Sequence, residues 1–166
     1  LFDEHEEIVS EDGKKVKRKG IFLLPNLLTT AALFAGFFSI VSAINGNFVN
    51  AGMAIFAAQM LDGLDGRVAR LTNSQSLFGA QYDSLSDVIS FGLAPALIVF
   101  LWGVNSVGQA GWIISFFYVA AAALRLARFN TYIGSEDSFF KGLPSPIAGA
   151  MVVYFVWEMS SYGIQG

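Results

Sequence analysis

From Ile21 to Met60 the chain carries no charged residue, a run long enough for two bilayer crossings at about 20 residues each. The polar triplet Asn45-Gly46-Asn47 breaks that run near its middle and reads as a tight turn between two helices. A second uncharged stretch runs from Val88 to Leu124, interrupted by Gly103-Val104-Asn105-Ser106-Val107-Gly108, and gives a second hairpin of the same kind. The pattern predicts five helices, at about Phe22 to Ile44, Val49 to Leu71, Leu77 to Trp102, Ala110 to Phe129 and Pro146 to Tyr162. Pro25 lies in the first turn of the first helix, where it removes no intrahelical hydrogen bond. Pro95 lies inside the third and predicts a bend there, which a membrane bundle tolerates.

Composition agrees: 54% of the 166 residues are hydrophobic and the mean hydropathy is +0.55, outside the range of soluble domains. The fold class is therefore all-α, a polytopic membrane helix bundle with about five transmembrane helices. Cysteine is absent, which excludes a disulfide framework, a thiolate metal site and a cysteine nucleophile. Phenylalanine dominates the aromatics as lipid-facing surface, and Trp102 and Trp112 fit an interfacial belt at the outer turn.

The net charge of −3 matters less than where the charges lie. An acidic patch, Asp3-Glu4-His5-Glu6-Glu7, precedes the basic run Lys14-Lys15-Val16-Lys17-Arg18-Lys19. Ile21 to Ile44 is too long for the apolar core of a signal peptide, so it reads as the first membrane helix. Basic residues favour the cytoplasmic side, which makes residues 1–20 a charged cytoplasmic segment with the amino terminus inside, and residues 21–166 the transmembrane domain. Arg67, Arg70, Arg125, Arg128 and Lys141 then all fall inside, and the outer segments carry no Lys or Arg.

Candidate chemistry is confined to one stretch. At about 100° per residue, Asp62, Asp65, Gly66 and Ala69 share an arc of the second helix with Arg70 at its edge, and Gly79, Asp83, Asp87 and Ser90 share a face of the third. Four carboxylates thus point at one seam. Asp62 stands nine residues before Leu71, roughly 14 Å along the helix, so the acids line a cavity below the membrane surface. Such residues are costly within a bilayer and functional by default. Their mutual repulsion and lost hydration call for a divalent cation, and carboxylate ligation without His or Cys suits Mg²⁺, Mn²⁺ or Ca²⁺. A cation transporter would also use intramembrane acids, but beyond Ser90 no polar residue continues a path along the third helix. No nucleic-acid partner is expected.

The spacing Asp62-x-x-Asp65-Gly66-x-x-Ala69-Arg70, eight residues, then Gly79-x-x-x-Asp83-x-x-x-Asp87 resembles the signature of the CDP-alcohol phosphotransferase family, with every fixed position filled. The resemblance implies two metal ions on Asp62, Asp65, Asp83 and Asp87. It also implies a cytidine diphosphate beside Asp62, Gly66, Ala69, Arg70 and Gly79, and a homodimer. Asp87 is the candidate general base, its role overlapping with metal ligation. The family's core has six helices where this sequence predicts five, so the carboxyl-terminal part is expected to be missing or the bundle completed otherwise.

Three segments, Asp83 to Pro95, Arg125-Leu126-Ala127-Arg128-Phe129-Asn130 and Gly142-Leu143-Pro144-Ser145-Pro146, are similar to the phosphatidylserine synthase branch of bacterial type. They imply CDP-diacylglycerol and L-serine as substrates, phosphatidylserine and CMP as products, and an enzyme of the bacterial inner membrane with its site facing the cytoplasm. Choline, glycerol phosphate and inositol phosphate stay open as acceptors, since the acid signature is common to all. Serine brings a carboxylate that choline and inositol lack, and an arginine fork suits a carboxylate or a phosphate. Arg125 and Arg128 are the candidates for that contact, Arg128 preferred for serine.

Overall fold

The computed structural model describes residues 23–72, 74, 76–131 and 145–163. The charged segment 1–20, Lys141 and Gly142-Leu143-Pro144 lie outside the described residues. Among the described residues there are five long helices: α1 (Leu23–Ile44), α2 (Phe48–Leu71), α3 (Leu77–Trp102), α4 (Gln109–Thr131) and α5 (Ser145–Ser161). No strand occurs among the described residues. The turns form where polar and glycine residues interrupt the apolar runs. Gly46 takes a φ of 76° between α1 and α2, and Gly108 a φ of 69° after a short 3₁₀ turn, Val104–Val107, between α3 and α4.

Among the described residues three helices are long and apolar enough to cross a membrane by length and composition: α1, α3 and α4. The other two differ for physical reasons. The 24-residue α2 carries Asp62, Asp65, Arg67 and Arg70 in its second half, and α5 has only 17 residues.

Lipid is as apolar as a protein core, so close approach through small residues, rather than greasiness, selects which helices pair. The buried stripe of α2 is Ala51, Gly52, Ala54, Ile55 and Ala58, and α1 packs along it in the most extensive helix pair of the bundle. Ser39, fully buried on α1, donates to the Ala51 carbonyl at 2.8 Å. On the other flank of α2, a Cβ at Gly52 would stand 3.2 Å from the Trp157 Cβ of α5.

The central helix is α3. Phe91, Ala94 and Ile98 sit in the core with Ile55 of α2 and Val153 and Val156 of α5. Gly36 of α1 lies so close that a Cβ there would fall 2.9 Å from the Ser90 Cα. Ser86 and Ser90 donate across this contact to the Thr29 and Ala32 carbonyls of α1, each at 3.4 Å.

Just before Pro95 the helix runs through a π-helical turn over Val88–Leu93, closed by the Ala94 N–H on the Ile89 carbonyl five residues back. Within that turn Ser90 is buried and its hydroxyl is turned to the Ala32 carbonyl of α1. Trp102 also contacts a neighbouring helix. It packs edge-on against Phe155, ring centroids 5.9 Å apart, whereas Trp112 is exposed.

Candidate functional site

The two hairpins run so that one end of the bundle gathers the start of α1, the end of α2, the start of α3 and the end of α4. Three contacts fix this: Thr29 with Asp65, Thr30 with Tyr82 at 3.0 Å and Asn130 with Ser84 at 3.0 Å. All the acids of the signature lie at this end.

Asp62 of α2 and Asp83 and Asp87 of α3 come together, each offering a carboxylate oxygen within 4.8 Å of the others. Asp83 and Asp87 are one turn apart on α3 and therefore face Asp62 together. All three are half-buried, and the Asp83 Oδ1 is buried with no hydrogen-bond partner. Such an orphaned acceptor among like charges is unfavourable as it stands. A hard cation satisfies it, and an oxygen-only donor set is the right chemistry for one. These three residues can hold a metal ion.

The fourth acid is placed differently. Asp65, one turn from Asp62 on α2, is 5% exposed and its Oδ2 accepts a 2.8 Å hydrogen bond from the Thr29 hydroxyl. Thr29 is itself buried, and its hydroxyl also lies 3.1 Å from the Pro25 carbonyl. From the sequence, this helix start is read only through Pro25, and Thr29 carries no role. The signal was present, for Asn26, Thr29 and Thr30 are the polar residues of an otherwise apolar helix start.

Asn26 matters for Gly79. A Cβ on Gly79 would stand 3.3 Å from the Asn26 Oδ1 and 3.1 Å from Ser76 Oγ, the residue that caps α3 by accepting the Gly79 N–H at 3.0 Å. Gly66 is the opposite case. Only the Arg70 Nη2 lies near its would-be Cβ, at 3.9 Å, because Arg70 folds back to donate from Nε to the Gly66 carbonyl at 3.0 Å. Open space therefore adjoins Gly66, with half-buried Ala69 next along the helix.

Of the two acceptor candidates, Arg125 is half-buried and Arg128 exposed. Arg125 lines a cavity of about 150 Å³ with Phe91, Tyr118, Ala121, Ala122 and Ala148.

Helices apolar enough for a bilayer, closing on a half-buried cluster of acids, put the chain among the helical membrane proteins that carry charged groups inside the bundle. A family model for CDP-alcohol phosphatidyltransferase matches residues 22–164, and the chain belongs to that family. Among its relatives is the CDP-diacylglycerol–serine O-phosphatidyltransferase of Helicobacter pylori, 45% identical over 143 residues, which are 86% of this chain and 60% of that protein. The protein of the same name from Mycobacterium tuberculosis is 40% identical over 84% of this chain and 51% of its own length. The archaetidylserine synthase of Methanothermobacter thermautotrophicus is 37% identical over 80% and 57%. The chain thus spans between half and two thirds of the length of these relatives. No solved structure matches it.

Proposed function

We propose that the chain transfers the phosphatidyl group of CDP-diacylglycerol to L-serine, giving phosphatidylserine and CMP. The observation that carries this reading is the Asp62, Asp83 and Asp87 cluster with its unpartnered Asp83 oxygen, built on a family signature in which every position is filled. Relatives named for serine transfer, bacterial and archaeal, favour serine over other alcohols.

In this reaction the serine Oγ attacks the phosphatidyl phosphorus, the bond from that phosphorus to the CMP oxygen breaks, and the hydroxyl proton leaves. Asp87 would take that proton; in support, it stands one turn from Asp83 on the same face, within the acid cluster. Phosphoryl transfer needs alignment and charge neutralisation more than covalent help. When bound, a divalent metal supplies positive charge against the diphosphate and the departing CMP. Asp62, Asp83 and Asp87 would hold it with Asp65 beside them, a set that suits Mg²⁺, Mn²⁺ or Ca²⁺ and has acids enough for two ions. Gly66 and Ala69 leave the backbone accessible to the cytidine diphosphate, with Gly79, fitted against Asn26 and Ser76, at its edge; Arg70 stands beside it, and Arg128 and Arg125 provide cations for the acceptor side.

The site faces the cytoplasm of a bacterial-type inner membrane in this reading. Support comes from Arg67, Arg70, Arg125 and Arg128 at the acid end, and from the lack of Lys and Arg at the other end among the described residues. Because the chain has no cysteine, single cysteines at Thr72 and Val107 test this by labelling from each side. A homodimer follows from the family resemblance and is open to cross-linking.

The deciding experiment measures CMP release by purified protein from CDP-diacylglycerol with L-serine, ethanolamine, glycerol phosphate or inositol phosphate as acceptor. Serine alone is expected to drive release. Release that depends on another alcohol, or on none, overturns the assignment.

A further inference from the structure

Between Ala51 and Leu61 the only polar side chain of α2 is that of Gln59, a residue used neither by the family signature nor by the acid cluster. It is half-buried, and among the described residues its amide has no hydrogen-bond partner. An amide left unpaired in apolar surroundings is unfavourable. Glutamine in a membrane helix ordinarily bonds to a neighbouring helix, and here none of the described helices answers it.

Helical geometry gives its direction. Seven residues make nearly two whole turns, so Gln59 lies on one line with Gly52 and Gly66. That line runs along the flank of α2, between the buried stripe and the exposed Met53, Phe56 and Met60. At one end Gly52 is closed off by Trp157 and Val153 of α5, whereas at the other Gly66 meets only the Arg70 side chain. Gln59 is thus the next residue on this line beyond the opening at Gly66. Asp62, of the acid cluster, stands three residues away on the adjoining face, roughly 4.5 Å along the axis.

The order of groups along α2 matches the order of groups in a nucleotide-activated lipid. Arg70, the open Gly66 and the Asp62 cluster come first, then the Gln59 amide, then the exposed apolar side chains of Phe56 and Met53. In CDP-diacylglycerol the diphosphate comes first, then the ester carbonyls of the glycerol backbone, then hydrocarbon. Those carbonyls are only a few bonds from the phosphorus, a reach comparable to the separation of Gln59 from Asp62. An ester carbonyl only accepts hydrogen bonds, and the glutamine amide has two N–H donors to offer it.

We propose that Gln59 is a specificity-determining residue that donates an amide N–H to an ester carbonyl of the lipid substrate. The contact rests on the phosphatidyl-transfer reading and deepens it, because it makes the protein a reader of diacyl over dialkyl glycerol backbones. A dialkyl lipid carries ether oxygens and no carbonyl, so it leaves the amide unpaired.

The test uses the purified protein in dodecyl maltoside micelles, a detergent without esters, so that the carbonyl is supplied by the substrate. CDP-diacylglycerol is compared with its dialkyl ether analogue of equal chain length. Binding is read from thermal stabilisation in Mn²⁺ without serine, and turnover from CMP release with serine. The wild type is expected to favour the ester lipid by about three- to ten-fold in both readouts, the range of one neutral hydrogen bond. Gln59→Met keeps the length and flexibility of the side chain but has no N–H. It is expected to lose the preference by weakening on the ester lipid alone, with the ether lipid and the serine KM within about two-fold of wild type. Gln59→Leu is a second apolar variant with the same expectation. A wild type that treats the two lipids alike overturns the contact, as does an apolar variant that keeps the preference or weakens on both lipids equally; serine transfer stands in each case. Ester preference in binding, together with no serine-dependent CMP release, overturns the transfer reading and leaves the contact in place.

Discussion

The third and fourth helices are both long and apolar enough to span a bilayer, yet 44% of the α3 span is buried within the protein and only 6% of the α4 span. The difference reflects what each face carries. α3 is crossed by α1, α2, α4 and α5. Small or polar residues meet these neighbours, Ser86 and Ser90 toward α1 and Gly92 toward Ala122 of α4. α4 presents Phe116, Phe117 and Leu124 outward and touches the site region through Tyr118, Arg125 and Asn130. Where side chains are buried against protein, substitutions are expected to be felt; where they face outward, they are not.

The largest effect is expected at the seam itself. Asp83→Asn should lower transfer by more than about a hundred-fold, beyond the range seen when only a metal's supporting partner is lost, and should abolish thermal stabilisation by added Mg²⁺ or Mn²⁺. Full activity of chelator-treated wild-type protein would sink the metal assignment. Asp87→Asn should cost about 10² to 10⁴ in kcat, the range of a general base, with CDP-diacylglycerol binding largely kept. Turnover at the wild-type rate would remove Asp87 from both of its roles.

A step outward, Thr29→Val keeps the shape but removes the hydrogen bond to Asp65. Metal affinity, read from the Mn²⁺ dependence of the melting temperature, should weaken by about ten- to a hundred-fold, while Thr29→Ser should restore it. Equal behaviour of the two variants would reduce the contact to packing.

The smallest effects separate the two helices by stability alone. Gly36→Val, which forces a side chain against Ser90, should destabilise by about 1–3 kcal/mol. Phe117→Leu on the outer face of α4 should change stability by no more than about 0.5 kcal/mol. Comparable losses at both positions would mean that α4 is as enclosed as α3.

Helix ends were legible to within a residue or two, because uncharged runs and the turns at Asn45-Gly46-Asn47 and Gly103 to Gly108 are local properties. The facing of Asp62 with Asp83 and Asp87 was legible too, since helical periodicity alone aligns them. What stayed hidden depends on partners distant in the chain. Thr29 looks like any helix-start threonine until α1 is laid against Asp65, and Asn26 gains meaning only beside Gly79. Pro95 announces a bend, but the widened turn before it and the pairing of Ser90 with the Ala32 carbonyl require knowing how α1 and α4 press on the helix. Which of Arg125 and Arg128 is the more enclosed likewise depends on the rotation of α4 about its own axis, which a weakly patterned helix does not reveal.

The pairing of α1 with α2 bears on how the protein is made. Its two aspartates and two arginines leave α2 too polar to count as a membrane span by itself, and each acid near the bilayer centre costs about 2.5–3.5 kcal/mol on insertion scales. α1 meets part of that cost directly, with the Thr29 hydroxyl on Asp65 and small residues along the rest of the contact. Partition into the bilayer is thus cooperative across the hairpin. The helix synthesised first is the apolar one that supplies the partner. In a translocon insertion assay, α2 alone is expected to stay out of the membrane and α1 followed by α2 to enter as a unit.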